Sequence, residues 1–304
     1  MRKRNWKEYN RQLIQRGSLT FLIGPKIINS KAKRSRKNGR PQEFSLPFIT
    51  MLLMVKIHFR LTYRSLEGFM KYLADLNKWK CAIPSYSLIC KRAASTKIVL
   101  PPLSQCHSST ILVDASGAKV LGEGEWKVKI HGKQRRRKWV KVHIAIDAVT
   151  QEIVAETTTK SSMKDGKALK ILLDEIKDPL TGVIADGAYD ERAAREEIKK
   201  RKAKALIPPP CNARLHGTDV DRDDAILIIR GLGGDKMAKS IWGRLTGYSI
   251  RALAETAFSR MKRLFGERLF SKIPEKQAVE NRLRCVLLNK MLMKEKDYVA
   301  SAVG

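Results

Sequence analysis

The chain has 304 residues, with 61 Lys plus Arg against 30 Asp plus Glu, a net charge of +31 and a pI near 10.2. At 43% hydrophobic and 30% charged residues it is too apolar for a disordered polycation. The charge calls for a polyanionic partner, nucleic acid ahead of an acidic membrane surface, and argues against an unbound structural protein or an ordinary metabolic enzyme.

The charge is uneven: residues 1–100 carry 22 basic and 4 acidic side chains, residues 101–304 carry 39 and 26. Five cysteines, Cys81, Cys90, Cys106, Cys211 and Cys285, lie at least nine residues apart. Neither a zinc site nor a disulfide framework is implied, and a reducing cytosol is expected. The basic start Met1-Arg-Lys-Arg-Asn-Trp6 lacks the apolar run of a signal peptide. The longest apolar stretch, residues 48–55, is far short of a membrane span. A soluble intracellular protein is expected.

Residues 1–43 read as a basic arm. Within it the run Lys31-Ala-Lys-Arg-Ser-Arg-Lys-Asn-Gly-Arg-Pro41 fits a mobile tail and an ordered DNA contact equally. Apolar spacing predicts a helix over 45–59, with Ser45 as N-cap and Pro47 in the first turn. A second helix over 62–79 carries Leu66, Phe69, Met70, Leu73 and Leu76 on one face. Pro84 breaks the chain, Ser85 can cap, and a short third helix over 87–94 carries Lys91 and Arg92. Two helices joined by a Pro turn, the second ending in basic residues, suit a helix-turn-helix reader of DNA. General backbone binding or simple bundle packing fits the same pattern.

After Pro101-Pro102 the pattern turns to strands: 110–113 running into Asp114, 139–146 running into Asp147, and 153–159. A helix follows over 164–177, with Ala168, Ile171, Leu172 and Ile176 inward. Then come a strand over 182–185 ending at Asp186, a helix over 190–202 and a strand over 205–207. That order implies an α/β fold with a mixed sheet. Residues 208–247, apart from the apolar 225–229, read as an irregular insertion. Helices over 251–265, with Leu253, Ala257, Met261 and Leu264 on one side, and over 275–292 complete the chain. The expected organisation is a 1–43 arm, a small all-α basic domain over 44–105, and a domain over 106–304 interrupted at about 208–247.

Asp114 and Asp186 end buried strands, and Glu255 lies in the late helix. Strand-end acids of one sheet cluster at one edge, and a helix across the sheet can add a third carboxylate. Hard Mg²⁺ or Mn²⁺ requires such oxygen donors, and two such ions clamp the attacking and leaving oxygens of an in-line phosphoryl displacement. Each acid taken singly also fits a turn or cap, and Asp147 competes for the same role.

The segment Tyr248-Ser-Ile-Arg251-Ala-Leu-Ala-Glu255-Thr-Ala-Phe-Ser-Arg-Met-Lys262 fits Y-x-x-R-x-x-x-E-x-x-x-x-x-x-K. On a helix Arg251, Glu255 and Lys262 fall near one face, either as a stabilising charge stripe or as two phosphate-gripping cations flanking a metal ligand. This pattern resembles the signature of bacterial insertion-sequence transposases with a DDE active site, and the chain is similar to the insertion sequence five family. Further segments of the resemblance are Asn5-Trp6, Tyr9-Asn10, Arg16-Gly-Ser-Leu19, Gly122-Glu-Gly-Glu-Trp126, Ile184-Ala-Asp-Gly-Ala-Tyr-Asp190 and Lys262-Arg-Leu-Phe-Gly266.

The resemblance implies a ribonuclease-H-like core, a mixed sheet with flanking helices, interrupted between its second and third acids. It implies Asp114, Asp186 and Glu255 as catalytic residues and ligands of Mg²⁺ or Mn²⁺, and Tyr248, Arg251 and Lys262 as contacts to DNA ends. The activity it implies is cleavage at the terminal inverted repeats and joining of the 3′-hydroxyls to target DNA, by a homodimer assembled on double-stranded DNA in the bacterial cytosol. Ser249 and Ile250 depart from the more polar or basic residues expected there.

A non-catalytic DNA-binding regulator, an inactive copy, and a nuclease without joining activity are the rival readings. Trp242 fits packing or stacking on an unpaired base. Arg135, Arg136 and Arg137, inside Lys133–Lys138, read as a phosphate-binding surface in a hairpin connection. Cys106-His107, Gly122-Glu-Gly-Glu and Gly231-Leu-Gly-Gly lack the context of a nucleophile or phosphate loop.

Overall fold

The computed structural model describes residues 6–15, 22–30, 32, 43–103, 109–120 and 139–292. The chain divides into two compact units, one of residues 1–98 with 286–304 and one of residues 99–285.

In the first unit helices α1 (Trp6–Gln15) and α2 (Pro25–Ile28) precede α3 (Leu46–His58), α4 (Tyr63–Leu76) and α5 (Tyr86–Ala93). Three hydroxyl caps start the last three: Ser45 accepts from the Phe48 amide at 3.2 Å, Thr62 from Ser65 at 3.1 Å and Ser85 from Leu88 at 3.4 Å. Helix α3 is apolar all round and buried from Phe48 to Ile57 apart from Thr50, which makes it the centre of its unit. Glu67 of α4 accepts from Lys71 and from the Tyr86 amide, both at 2.6 Å, so one carboxylate ties α4 to the first turn of α5. No single helix among the described residues is long and apolar enough to cross a membrane.

The second unit is built on a mixed sheet of β1 (Thr110–Val120), β2 (Trp139–Asp147), β3 (Ile153–Lys160), β4 (Gly182–Ala185), β5 (Lys204–Leu206) and the short β6 (Arg268–Leu269). Strand order is β3-β2-β1-β4-β5. The first three strands form an antiparallel meander, and β4 and β5 run parallel to β1. This is a ribonuclease-H-like mixed sheet with flanking helices. Strand β1 is its spine, with Ile111, Leu112 and Val113 fully buried, as a strand covered on both faces requires. Helices α6 (Asp165–Glu175) and α7 (Arg192–Lys200) share one hydrophobic core with Ile111, Val113, Ala145, Val154 and Val183 through Leu169, Leu172, Leu173, Ala194 and Ile198.

Three local expectations change. The strand begun at Thr110 runs through Asp114 to Val120, because its continuation stays paired with β2 as far as Lys119 opposite Trp139. Ile171 of α6 is exposed, and Leu169 and Leu173 take its place against the sheet. The segment 208–247 is irregular only up to 219 and then holds two helices: α8 (Val220–Gly231) and α9 (Lys236–Leu245) start at Asp219 and Asp235, whose side chains accept from the Arg222 and Ala238 amides at 3.2 and 2.7 Å. Ala225, Ile229, Ala238 and Trp242 form their small separate core. Gly247, left-handed at φ 75°, ends α9 and turns the chain without the strain a side chain brings there.

Helix α10 (Ala252–Phe265) packs on β1 and β2 through Ala254, Ala257, Phe258, Met261 and Phe265, with Leu253 and Leu264 only partly covered. Helix α11 (Pro274–Leu292) is last, and the boundary between the units falls within it.

Leu172 is wholly buried between α6 and the sheet core. Leu172→Ala is expected to cost about 2–5 kcal/mol, read as a lowered denaturation midpoint of the second unit. A loss under about 1 kcal/mol contradicts a packed layer at this position.

Candidate active site

The parallel pairing of β1 with β4 ends at Val113 opposite Ala185. The next residue of each strand is an acid, so Asp114 and Asp186 emerge on neighbouring strands at the same level. Successive residues of a strand face opposite ways: Val113 points into the α6–α7 core, and Asp114 shares the other face with Leu112. Asp147 competes no longer. Strand β2 is antiparallel to β1, and Asp147 lies opposite Ile111, about 10 Å down the strand from Asp114. Its carboxylate caps the β2–β3 turn, accepting from the Val149 and Thr150 amides at 2.8 and 3.1 Å.

Residues Tyr248–Arg251 form a 3₁₀ turn that leads into α10 and packs against β1 and β4. It brings Arg251 to the two acids. The Arg251 guanidinium lies 3.6 Å from Asp114 through Nη1 and pairs with Glu255 through Nη2. Arg251 therefore stands at the N-cap of α10 rather than within the helix. Tyr248 lies beside it, with the guanidinium carbon 5.9 Å from the ring centroid. Behind Tyr248 stands Trp242, its indole centroid 5.4 Å from the phenol.

The electrostatics follow from this crowding. Burial pushes the Asp114 carboxyl above its ordinary range. The Ala115 amide and Arg251 pull it back, while Asp186 and Glu255 push it up further. Arg251 holds its proton more tightly than usual: burial works against it, but Tyr248, Asp114, Glu255 and Asp186 together prevail. Asp114 is 9% exposed, while the Glu255 side chain is 58% exposed and open to a ligand.

Three carboxylates with oxygen donors match the chemistry of a hard divalent ion. A cation already occupies the position between Asp114 and Glu255, in the form of Arg251. No group of three or more His, Cys, Asp and Glu side chains among the described residues is gathered closely enough to hold a metal ion. The donor set fits Mg²⁺ or Mn²⁺ in kind, and Arg251 supplies the counter-charge in this arrangement.

Of the expected site residues, Asp114, Asp186, Tyr248, Arg251 and Glu255 come together. Lys262 lies two turns further along α10 and is exposed. Trp242, read as packing or as stacking on a base, packs: it is 2% exposed, because its indole fills the core of the α8–α9 pair. Its place here is as the backing of Tyr248. Lys91 is exposed on α5, whereas Arg92 donates to the Phe44 carbonyl at 2.6 Å and is spent on packing its own unit. Arg135, Arg136 and Arg137 lie outside the described residues, as do Cys106-His107 and 122–126.

Sequence reasoning missed what surrounds Asp186. The 3₁₀ turn Gly187–Tyr189 follows it, and Asp186 accepts from the Ala188 amide at 3.0 Å. Tyr189 is fully buried, and its hydroxyl lies 3.3 Å from His143 Nδ1, while His143 Nε2 lies 3.0 Å from the Thr159 hydroxyl. Asp165, held by Lys141 at 2.9 Å, stands 3.8 Å from the same imidazole. Burial raises the Tyr189 phenol, and Asp165, Asp186 and Asp114 add to it. Only the motif Asp186-Gly-Ala-Tyr-Asp190 hinted at this network; His143 carried no signal beyond its place in an alternating strand.

Burial lowers the His143 pKa to about 4 from an ordinary 6.5, with Asp165 opposing and Lys141 assisting. The unfolded chain takes the proton first, so this contribution to stability is whole above about pH 6.5 and is lost as pH falls toward 4. Glu156, buried on β3 and pushed up to about 7 by burial, acts in the opposite sense. Its contribution is whole below about pH 4.5 and is lost as pH rises to 7. Subtracting the stability of His143→Gln from that of the wild type cancels Glu156. That difference is expected to fall by about 2–3 kcal/mol between pH 6.5 and 4, measured by chemical denaturation at each pH. A flat difference contradicts the buried neutral imidazole.

Two family models, each described as a Transposase DDE domain, match the chain, over residues 105–290 and 14–123. Among solved structures, the chain is similar to piggyBac transposase in a synaptic complex with hairpin DNA, at 10% identity and a TM-score of 0.43, covering 95% of this chain and 77% of that one. It is also similar to Mos1 transposase in a paired-end complex with the left transposon end, at 11% identity and a TM-score of 0.23, covering 95% and 89%. The assignment rests on the family matches, the first of which spans more than half of the chain: the protein belongs to the DDE transposase family.

Proposed function

We propose that this protein cleaves DNA at the terminal inverted repeats of an insertion sequence of the insertion sequence five type and joins the freed 3′-hydroxyls to target DNA. The observation that carries this reading is the meeting of Asp114, Asp186, Glu255 and Arg251 at one edge of the sheet in a chain of the DDE transposase family.

In this reading Asp114, Asp186 and Glu255 hold the divalent ions that the family generally uses. When bound, such ions activate a water or hydroxyl oxygen and neutralise charge on the leaving oxygen. The chain's own residues do the rest. Asp114, on the sheet's spine, and Asp186, on its short turn, fix two carboxylates against the rigid core. Exposed Glu255 closes the set from α10. Arg251 exchanges its carboxylate partners for a DNA phosphate, an exchange that suits a planar guanidinium, which binds both groups in the same fork geometry. Lys262, seven residues beyond Glu255, reaches a second phosphate along the same helix. Tyr248, backed by Trp242, keeps Arg251 from swinging away between those partners.

Double-stranded DNA is the partner in this reading, and bringing two transposon ends together requires at least a homodimer on DNA. The basic first 100 residues, Lys91 among them, supply sequence-independent affinity that weakens with salt. The proposed organisation is a basic arm over 1–43, a helical DNA-binding domain over 44–105 and the catalytic domain beyond. The bacterial cytosol, on the nucleoid, is the corresponding location. A non-catalytic regulator would make the acidic edge superfluous, and nothing in such a role needs Arg251 beside three carboxylates.

Each of Asp114→Ala, Asp186→Ala and Glu255→Ala is expected to lower strand cleavage by about 10³-fold or more, equivalent to about 4 kcal/mol of transition-state stabilisation, with end binding held within a few-fold. The assay is incubation with a supercoiled donor in Mg²⁺ or in Ca²⁺. Joined products in Mg²⁺ support a transposase, nicks alone mark a nuclease, and binding alone marks a regulator or an inactive copy. Full cleavage by any one of the three variants removes that residue from the triad.

A further inference from the structure

The turn that carries Asp186 ends in a second carboxylate whose surroundings are unlike those of the catalytic acids. The Asp190 side chain is 2% exposed and is gripped by two arginines: Arg195 Nε donates to Oδ1 at 2.6 Å, and Arg222 Nε lies 3.2 Å from Oδ2. Those arginines belong to different parts of the unit. Arg195 lies on α7 and also donates to the Ile207 carbonyl at 3.0 Å, past the end of β5. Arg222 lies on α8, in the insertion, and also donates to the Arg214 carbonyl at 2.8 Å. Asp219, the cap of α8, returns to Arg195 at 3.4 Å. One buried carboxylate thus joins the Asp186 turn, a core helix and the helical insertion.

Among the described residues, the hydrogen bonds Asp186 accepts come from its own turn: its side chain from the Ala188 amide at 3.0 Å and its carbonyl from the Tyr189 amide at 3.1 Å. Its place is therefore inherited from what anchors the turn. Tyr189 anchors it inward, against His143, and Asp190 anchors it outward, to Arg195 and Arg222. We infer that Asp190 is a positioning residue for Asp186, and that through Arg222 it makes the α8–α9 insertion part of the support of the active site. Loosening the insertion at this latch is then felt at Asp186, although the side chains of Asp190, Arg195 and Arg222 are largely buried in their own pairing. The inference rests on the reading of Asp186 as a catalytic acid.

A buried carboxylate facing two guanidinium groups is a poor choice for stability alone, since well-packed apolar groups serve that purpose as well or better. What the ionic arrangement supplies is direction: Arg195 Nε donates to one carboxylate oxygen of Asp190 and Arg222 Nε to the other, from two different helices, which fixes how the carboxylate is turned. Outer partners that orient a ligand-bearing segment in this way change activity by about 10–100-fold when removed.

The test uses the full-length chain with Asp190→Asn, which keeps the size and one acceptor, and Arg222→Gln, which keeps the Asp190–Arg195 pair. Mg²⁺-dependent cleavage of a transposon-end duplex is measured under saturating and sub-saturating DNA, together with amide hydrogen exchange. Both variants are expected to lower turnover by about 10–100-fold while leaving the half-saturating DNA concentration unchanged. Exchange is expected to quicken across 186–190 and 219–231 and to stay at wild-type rates in β1, β2 and β3. Unchanged turnover, or unchanged exchange across 186–190, in both variants overturns the inference. If Asp190→Asn exchanges everywhere and fails to fold, Arg222→Gln decides by the same two readouts. If the wild-type chain itself does not cleave, the transposase reading fails, and exchange alone judges the latch: faster exchange at 186–190 upholds it and wild-type exchange overturns it.

Discussion

Val113 of β1 stands opposite Ala185 of β4, and the residue after each is an acid. Neighbouring strands lie about 4.8 Å apart, and two unit negative charges at that spacing repel by about 3 kcal/mol at an effective dielectric of about 20. A fold that commits two carboxylates to adjacent strand positions, and brings a third on a helix, must supply a positive charge among them. Arg251 does so here, between Asp114 and Glu255, and much of the second unit can be understood as holding that arginine and those acids in place. The 3₁₀ turn at 248–251 brings Arg251 to the strand ends. Gly247 allows the turn, and the α8–α9 core offers Trp242 as a wall behind Tyr248.

The same account divides the chain's positive charge. Some of it is internal: Arg195, Arg222 and Arg284 are largely buried and paired with Asp190 or Glu280, and Arg92 is bonded to a main-chain carbonyl. These cations stabilise geometry and are not available to a polyanion. The exposed ones, Lys91 and Lys262 among them, remain for that purpose. The 61 Lys and Arg residues are thus only in part available to a polyanion, and counting basic residues overstates the surface offered to phosphate.

Much of this was legible in the sequence, for physical reasons that differ from element to element. Hydroxyl caps at Ser45 and Ser85, and runs such as Ile111-Leu-Val113, announce their elements locally, because caps and buried strands obey short-range rules. The meander and the strand preceding Asp186 followed from them. Asp114 and Asp186 were recognisable as acids closing apolar runs, although β1 continues past Asp114 because its later residues pair with β2 rather than β4. The α8–α9 insertion was harder to read. Its helices are short and glycine-flanked, and α8 exposes Val220, Leu227 and Ile228 while burying Ala225, Ile226 and Ile229, which blurs any single apolar stripe. Trp242 could be read as packing, but not what it packs in: its core is a small separate one made by the two insertion helices. His143 and Arg222 were invisible because their roles depend on partners 46 and 32 residues away, and no local pattern encodes such pairings; Asp190 was legible only as the last residue of a motif, without its partners.

The proposed function requires that Asp114, Asp186 and Glu255 draw together around a divalent ion that displaces Arg251, the counter-charge in the DNA-free arrangement. Electron paramagnetic resonance titration of Mn²⁺ into the DNA-free protein tests it most directly, comparing wild type with Asp114→Asn and Arg251→Gln. Asp114→Asn is expected to weaken Mn²⁺ binding and Arg251→Gln to strengthen it, because the ion and the guanidinium compete for the same oxygens. Equal Mn²⁺ affinity in all three proteins would contradict it.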